Sequence, residues 1–467
     1  MPDPRKYLRL AALAALVPAL PVLPGNAPAA SAELTPAQFR ETAAAALRQG
    51  NPQDAYKFSA ALLQRDPKDR TALLIQSRAA RSLGSFRNAR RAAKQAWRLA
   101  ENDAQKFAAS LLMAQALSSD GKKTLAQFWL RRAVHHAPNE TLQRRAIRDF
   151  RYVRASSPWL HRISLSVTPE SNINNGSSER TSYLHYRLTE ALLGRPAEFQ
   201  LGGTQMALSG IEYAVSFSTR YRFRETATRA HDLTLSADLR TYTLSGDARA
   251  QAPGAKGSDF AFGSYTAGYA HKGLNLDRRG EYRVAVHGGQ TWFGGEEYTR
   301  FLRLSAGQSY KLEGGRRISA RVSGDRQFGV MTSDQDTLRG DVSYSFRLGS
   351  QAAILAGLSL AKSDSPSPED EFSEAGLRAQ LTIGKPILGA IARIGVAAYN
   401  RDYAVSAHSP DGRHDEKYSA DLSLTFKELG YYGFNPTLRV SGAKTDSNIG
   451  LYQSHRFGVN IGIQSAF

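Results

Sequence analysis

The sequence predicts a two-part protein, with an α-helical solenoid followed by an antiparallel transmembrane β-barrel. Three observations lead to this expectation. Apolar residues recur at helical spacing as far as Ala155, and from His161 onward the period becomes two. The last strand then ends on the aromatic residue Phe467. The expected fold class is therefore α + β multidomain, and the barrel has 14 strands, with 16 as the alternative.

Composition narrows the classes of protein to which the chain can belong. The chain has 467 residues and a mean hydropathy of −0.41, which excludes a polytopic helical membrane protein. This hydropathy is compatible with a transmembrane β-barrel, because the strands of a barrel alternate lipid-facing and lumen-facing side chains. The absence of cysteine excludes disulfides, thiolate metal sites and cysteine catalysis. A net charge of +19 indicates an anionic partner without naming it.

The N-terminus is typical of an export signal. Three basic residues lie before an uncharged stretch that runs from Leu10 to Ala32. Prolines inside this stretch disfavour the alternative, a retained membrane-spanning helix. Ala30-Ser31-Ala32 fits a small-x-small cleavage site. We therefore predict a signal peptide over residues 1–32, cleaved between Ala32 and Glu33.

A weak repeat runs through the helical domain predicted over residues 33–155. Gly50–Ala55 recurs 34 residues later as Gly84–Ala89, and a third copy begins at Gly121 and places Ala126. Stacked helix pairs need a glycine at the turn and a small residue where the helices cross. The pattern resembles tetratricopeptide repeats (TPR), and the alternative is an ordinary helical bundle. In either case, we expect this domain in the periplasm.

Most of the positive charge lies in this domain, which holds 23 Lys and Arg against 10 Asp and Glu. One predicted helix carries the candidate cargo-binding residues Arg87, Arg90, Arg91 and Lys94. Such a surface suits an acidic protein segment or anionic lipid headgroups, and the alternative is a solvated helix face. Nucleic acid is not an expected partner of an exported protein.

Residues 156–467 alternate apolar and polar side chains, as in Ile211–Phe223. A soluble sandwich would alternate too, but here short connections take turns with long ones. That pattern is typical of an outer-membrane barrel with short periplasmic turns. Phe467 is the candidate signal for barrel assembly. Two additional segments, Ser182–Thr189 and Phe199–Met206, would raise the strand count from 14 to 16.

No constellation of residues predicts an enzyme. The ten histidines are scattered, and the adjacent pair His135-His136 would point about 100° apart on a helix, which is a poor metal site. No Ser/His set or phosphate loop stands out. We expect no catalytic residue, no cofactor and no metal.

Particular motifs carry a family resemblance. The stretch TPESNINNGSS over Thr168–Ser178, the pair Ser209-Gly210 and the C-terminal region from Asn435 to Phe467 resemble the surface lipoprotein assembly modifier (Slam) family. The order of segments is similar as well. The resemblance implies a Gram-negative outer-membrane translocator whose cargo is a surface lipoprotein or a secreted haem- or metal-acquisition protein. Its partners would be that cargo, outer-membrane lipid and the barrel-assembly machinery.

Two questions stay open at this point. The asparagines Asn172, Asn174 and Asn175 are candidates for pairing with cargo backbone, and the alternative is a hydrogen-bonded turn against the barrel wall. The rival function is an outer-membrane channel or polysaccharide-export porin with a TPR scaffold. The barrel half has a net charge of only +4, and its inward candidates mix both signs, so we expect no strong charge selectivity. These inward candidates are Arg220, Arg222, Arg240, Asp341, Arg347 and Asp421.

Overall fold

The structure is a computed structural model that describes residues 34–465. The predicted cleavage site at Ala32 and Glu33 and the terminal Phe467 lie outside the described residues, so those predictions stay as they are. Among the described residues, seven helices precede the barrel: α1 (Pro36–Arg48), α2 (Pro52–Arg65), α3 (Arg70–Ser82), α4 (Phe86–Arg98), α5 (Asp103–Ser119), α6 (Lys123–His135) and α7 (Glu140–Ala155).

Polar caps and glycine turns set the ends of these helices. Asn51, Asp69, Asn102 and Asn139 each precede a helix and accept a hydrogen bond from the backbone N–H three residues on. The turns inside the helix pairs contain Gly50, Gly84 and Gly121, all with positive φ, as a left-handed turn requires.

Small residues let the helices cross closely. The repeated alanines Ala55, Ala89 and Ala126 are each 0% exposed, as the repeat predicts. Helix α3 packs against both α1 and α5, so the first helices of the pairs form one layer and α2, α4 and α6 form the other. This arrangement is that of an α-solenoid.

The remaining chain forms a closed antiparallel barrel of fourteen strands. Its strands are β1 (Trp159–Glu170), β4 (Gly210–Glu225), β5 (Arg229–Leu244), β6 (Phe262–Asn275), β7 (Gly280–Phe293), β8 (Glu296–Lys311), β9 (Arg317–Gly329), β10 (Gln335–Leu348), β11 (Ala352–Asp364), β12 (Phe372–Ile387), β13 (Ala390–Tyr403), β14 (Arg413–Phe426), β15 (Phe434–Ser447) and β16 (Ser454–Ser465).

The count of 14 is confirmed, and the alternative of 16 is wrong. The two additional segments overlap β2 (Thr181–Leu184) and β3 (Ala197–Gln200) in part, and these two strands pair with each other in a separate two-stranded sheet. A short helix, α8 (Arg187–Leu193), connects them, and another, α9 (Gly246–Gln251), follows β5. Strands of four residues are too short to cross a bilayer.

Alternation along each strand separates two faces of the barrel wall. In β1, the side chains of Ile163, Leu165 and Val167 are 69, 57 and 48% exposed on the outer face. Ser164 and Ser166 point the other way, into the lumen. An exposed apolar band of this kind is the lipid-facing surface of a transmembrane barrel.

The two ends of the barrel differ as predicted. One end has short turns, such as 388–389 and 349–351, and the other has longer connections, such as 245–261 and 404–412. The exception is Gly294-Gly295, a two-residue turn at the long-loop end, where both glycines have positive φ. We call the short-turn end periplasmic. No helix within residues 34–465 is long and apolar enough to cross a membrane.

Candidate functional site: the helical domain, the barrel mouths and the lumen

Helix α6 joins the helical domain to the turn 427–433 at the periplasmic mouth of the barrel. Arg131 donates a hydrogen bond from Nη1 to the carbonyl oxygen of Gly433, at 2.7 Å. Its guanidinium lies over the ring of Phe434, 4.2 Å from the centroid, and over that of Phe150 in α7, at 4.8 Å. One arginine thus contacts both parts of the protein.

One turn further along α6, His135 contacts the same barrel turn. Its ring stacks on Tyr432, and its edge meets Tyr431 at a centroid distance of 5.1 Å. The next residue, His136, turns inward and places Nδ1 3.0 Å from Oδ1 of Asp103. The two rings also meet edge to face, 4.9 Å apart, and the edge of His136 approaches Tyr432 at 6.1 Å, so both histidines contribute to the junction.

The environment of this junction shifts two ionisation equilibria. Burial, together with the charge of Arg154, lowers the pKa of Arg131 to about 10, so this side chain stays charged at neutral pH. Burial also lowers the pKa of His135, and His136 adds to that effect. The histidine ring is therefore predominantly neutral when it stacks on the tyrosine at pH 7.

The predicted basic helix is α4, in the second layer of the solenoid. Arg87, Arg91 and Lys94 are exposed along one face of this helix. Arg90 is different, because its guanidinium pairs with Asp120 at the turn between α5 and α6. Three of the four candidates therefore offer free positive charge, and the fourth holds helices together.

The connection between β1 and β4, residues 171–209, packs at the outer mouth; we call it the outer segment. Asn172 is 1% exposed, and its amide donates to Gly176 and His455 carbonyls while it accepts from the Gly176 N–H. The amide of Asn174 likewise bonds to Thr204, Met206 and Leu208 backbone. These contacts fit the hydrogen-bonded turn. Asn175 is the exposed member of the three.

The outer segment also joins the first and last barrel strands. The ladder between β1 and β16 pairs Val167 with Ile461 and Glu170 with Gly458. The other neighbouring barrel strands are paired residue by residue along most of their length. The Asn172 bond to His455 and the Ser171 N–H bond to Phe457 extend this short ladder at its outer end. The seam between first and last strands is thus held mainly on the outer side.

Ion pairs line the outer half of the lumen. They join Arg303 to Asp325, Arg339 and Arg401 to Glu374, and Arg456 to Glu170. Glu374 is buried and forms ion pairs with Arg339 and Arg401 at 3.1 and 2.5 Å. The charges of these arginines are therefore matched within the wall.

Within the described part of the chain, no group of three or more His, Asp or Glu side chains is placed to hold a metal ion. What sequence reasoning missed is the junction itself. Arg131 and Gly433 are 302 residues apart, and no local pattern pairs them. The aromatic pair Tyr431-Tyr432 in a short turn was the available signal.

The closed barrel, its apolar outer band and the helical domain at one mouth define an outer-membrane β-barrel protein with an attached α-solenoid. Residues 159–467 match the family described as surface lipoprotein assembly modifier. The chain belongs to this family, which confirms the resemblance noted in the sequence and the location in the outer membrane. A comparison with curated proteins gives no match.

Solved structures of outer-membrane proteins match part of this chain at low scores. A loop-deletion mutant of OmpT, an outer membrane protein of Vibrio cholerae, is 9% identical with a TM-score of 0.33, and the match covers 65% of this chain and 99% of that one. CdiB from Acinetobacter baumannii is 11% identical with a TM-score of 0.36, and the match covers 65% and 60%. At identities this low the likeness concerns the fold alone.

Proposed function

We propose that this protein delivers cargo proteins across the outer membrane, and that the cargo is a surface lipoprotein or a secreted haem- or metal-acquisition protein. Membership of the surface lipoprotein assembly modifier family supports this proposal. The observation that carries it is the junction of α6 with the barrel. Through Arg131 and His135, the helical domain is held at the periplasmic mouth, where cargo would arrive.

In this proposal the two parts divide the work without catalysis. The mature chain starts near Glu33, residues 33–155 receive cargo in the periplasm, and residues 156–467 provide the route or template. Holding a receiving domain at the mouth raises the local concentration of bound cargo there. The exposed basic residues Arg87, Arg91 and Lys94 would contact acidic cargo surface. The barrel-assembly machinery would insert the chain into lipid, guided by Phe467.

Surface labelling of intact cells tests the proposal. Cells with and without the protein are labelled with an impermeant reagent, and every labelled protein is identified. We expect the loss of one or a few specific lipoproteins from the surface, or of secreted proteins from the medium. An unchanged list of proteins would contradict the proposal.

The second candidate is a channel or polysaccharide-export porin. Exposed arginines on the lumen face, such as Arg283 and Arg393, support it, because they indicate a solvated lumen. The same cells separate the two functions. Altered uptake of small solutes or altered surface polysaccharide, with an unchanged protein list, would favour the channel.

A further inference from the structure

Positive charge on the lumen face is concentrated at the periplasmic end. We define the periplasmic collar as one lumen-facing arginine from each of six strands, the one nearest the periplasmic end that forms no ion pair with the described residues; Arg321, on the same face of β9 as Arg317, lies further from that end and is not included. Its members are Arg162, Arg220, Arg283, Arg317, Arg347 and Arg393. Their strands, β1, β4, β7, β9, β10 and β13, are spread around the closed barrel. The collar therefore surrounds the lumen instead of forming a patch on one wall.

The arginines of the collar have no acidic partner. In the described part of the chain, no carboxylate lies within ion-pair distance of any of the six. Arg162, Arg283, Arg347 and Arg393 are exposed to the lumen. Arg220 is half-buried, and its Nε has no hydrogen-bond partner. Arg317 donates a hydrogen bond from Nη1 to Ser309 Oγ at 3.2 Å, and the four exposed guanidinium groups are available to a ligand.

Two acidic residues near the collar are engaged by arginines, whereas Glu281 and Asp341 face the lumen without an ion-pair partner in the described structure. Asp232 pairs with Arg222 at 2.8 Å, and Asp421 lies 3.4 Å from Arg439. The outer half of the lumen differs in degree, because Arg339, Arg401 and Arg456 are paired there with Glu374 and Glu170, although Arg240 and Arg378 are unpaired within residues 34–465. The net charge of +4 for the whole barrel half conceals this uneven distribution. Uncompensated positive charges between low-dielectric walls focus the electric potential and attract anions.

We propose that the periplasmic collar binds the carboxylates of an acidic polypeptide segment as it enters the lumen. This inference rests on the proposed function for the identity of the ligand. Guanidinium groups bind carboxylates with two parallel hydrogen bonds. Six sites spread around a lumen suit an extended chain with many carboxylates, whereas one small anion would need a compact pocket. The helical domain at the same mouth carries an excess of Lys and Arg, so both surfaces complement the same acidic chain.

Binding of fluorescein-labelled poly-L-glutamate to the full-length protein in detergent tests this proposal. The collar variant carries Arg162→Gln and Arg393→Gln. The matched control carries Arg240→Gln and Arg378→Gln, which remove two exposed lumen arginines from outside the collar. All proteins keep the basic helical domain, and heat-modifiable migration in gels verifies that each barrel is folded.

We expect the collar variant to bind about tenfold more weakly at low salt, with a smaller dependence on salt, while the control stays close to the unchanged protein. Equal losses in both variants, or no loss in either, would overturn the proposal. Free glutamate that displaces the polymer at the same total carboxylate concentration would reveal a small-anion site and would also overturn it.

The outcome is separable from that of the proposed function. Binding of poly-L-glutamate is measured without cargo, whereas surface labelling is measured in cells. Collar-dependent binding together with an unchanged surface protein list would leave the collar as a polyanion site and reject cargo delivery. Loss of surface proteins without collar-dependent binding would reject the collar alone.

Discussion

The imidazole ring of His135 lies parallel to the phenol ring of Tyr432, with centroids 4.2 Å apart and planes 21° apart. The first belongs to the sixth helix and the second to the last periplasmic turn of the barrel. Because α7 leads directly into β1, the chain already tethers the helical domain to the barrel. The stacked pair adds a second attachment, which fixes the orientation of that domain over the mouth.

We expect Tyr432→Ala to free the helical domain from its fixed orientation. The substitution removes the stacked ring and its edge contacts, worth about 1–2 kcal/mol together. Since the chain has no cysteine, spin labels can be placed at Gln143→Cys and Ser350→Cys. Their distance distribution, measured by pulsed electron paramagnetic resonance, should broaden.

Leu429→Ala is the control for this experiment, because Leu429 lies in the same turn and is 64% exposed. Its distance distribution should match that of the unchanged protein. Equal widths for Tyr432→Ala and Leu429→Ala would mean that ring stacking does not orient the domain.

The same contact should weaken in acid. Burial holds the pKa of His135 below its usual value of 6.5, so the docked state binds fewer protons than a released one between these two pKa values. Docking is therefore complete above pH 6.5 and is lost as the pH falls towards the lowered pKa. The label distances should broaden over that range, and His135→Phe should keep them narrow at every pH. Acid broadening that persists in His135→Phe would assign the effect to another group.

Local pattern was enough to predict the two halves and the strand count. The change of period near residue 160 and the alternation of short and long connections are local features of the sequence, and the structure has both. The segments Ser182–Thr189 and Phe199–Met206 alternate too, but the strands found there, Thr181–Leu184 and Ala197–Gln200, are four residues long and overlap them only in part. Whether such a segment joins the barrel depends on the strand with which it pairs, and a single sequence does not identify that partner.

The charges of the lumen show what the sequence alone could not give. Arg222 and Asp232 are ten residues apart, and only the register of β4 against β5 makes them neighbours. Arg347, like Arg222, is an arginine on the lumen face of an alternating strand, but no carboxylate lies within ion-pair distance of it in the described structure. The expectation of weak charge selectivity was based on the net charge of the barrel half, which does not show how the charges are distributed along the axis of the lumen.

Asn172→Ala should destabilise the outer end of the seam between the first and last strands. The side chain is buried and bonds to both Gly176 and His455, so its removal leaves backbone groups unpaired at about 1–3 kcal/mol. The temperature at which the barrel loses its compact migration in gels should fall. In the control, Asn175→Gly, the removed side chain is exposed, its hydrogen bond from Arg456 is long at 3.5 Å, and the positive φ suits glycine, so that temperature should change much less. Equal temperatures for both variants would show that Asn172 does not fasten the seam.

The basic residues of α4 should separate into a binding set and a stabilising one. Reversing Arg87, Arg91 and Lys94 to Glu leaves the helix packing intact, because all three are exposed. Cargo identified by surface labelling should then bind the purified protein more weakly, and the difference should shrink as salt increases. Binding by this triple variant equal to that of the unchanged protein would exclude the face from cargo recognition.

In the unchanged protein, Lys122 and, to a lesser extent, Arg90 lower the pKa of Asp120. Arg90→Glu would instead place a second carboxylate next to Asp120. This variant should therefore lower the melting temperature of the helical signal in circular dichroism, whereas the triple reversal leaves it nearly unchanged. If Arg90→Glu keeps the melting temperature and loses cargo binding, then Arg90 belongs to the binding set. The ion pair with Asp120 would in that case be dispensable for packing α4 against the turn between α5 and α6.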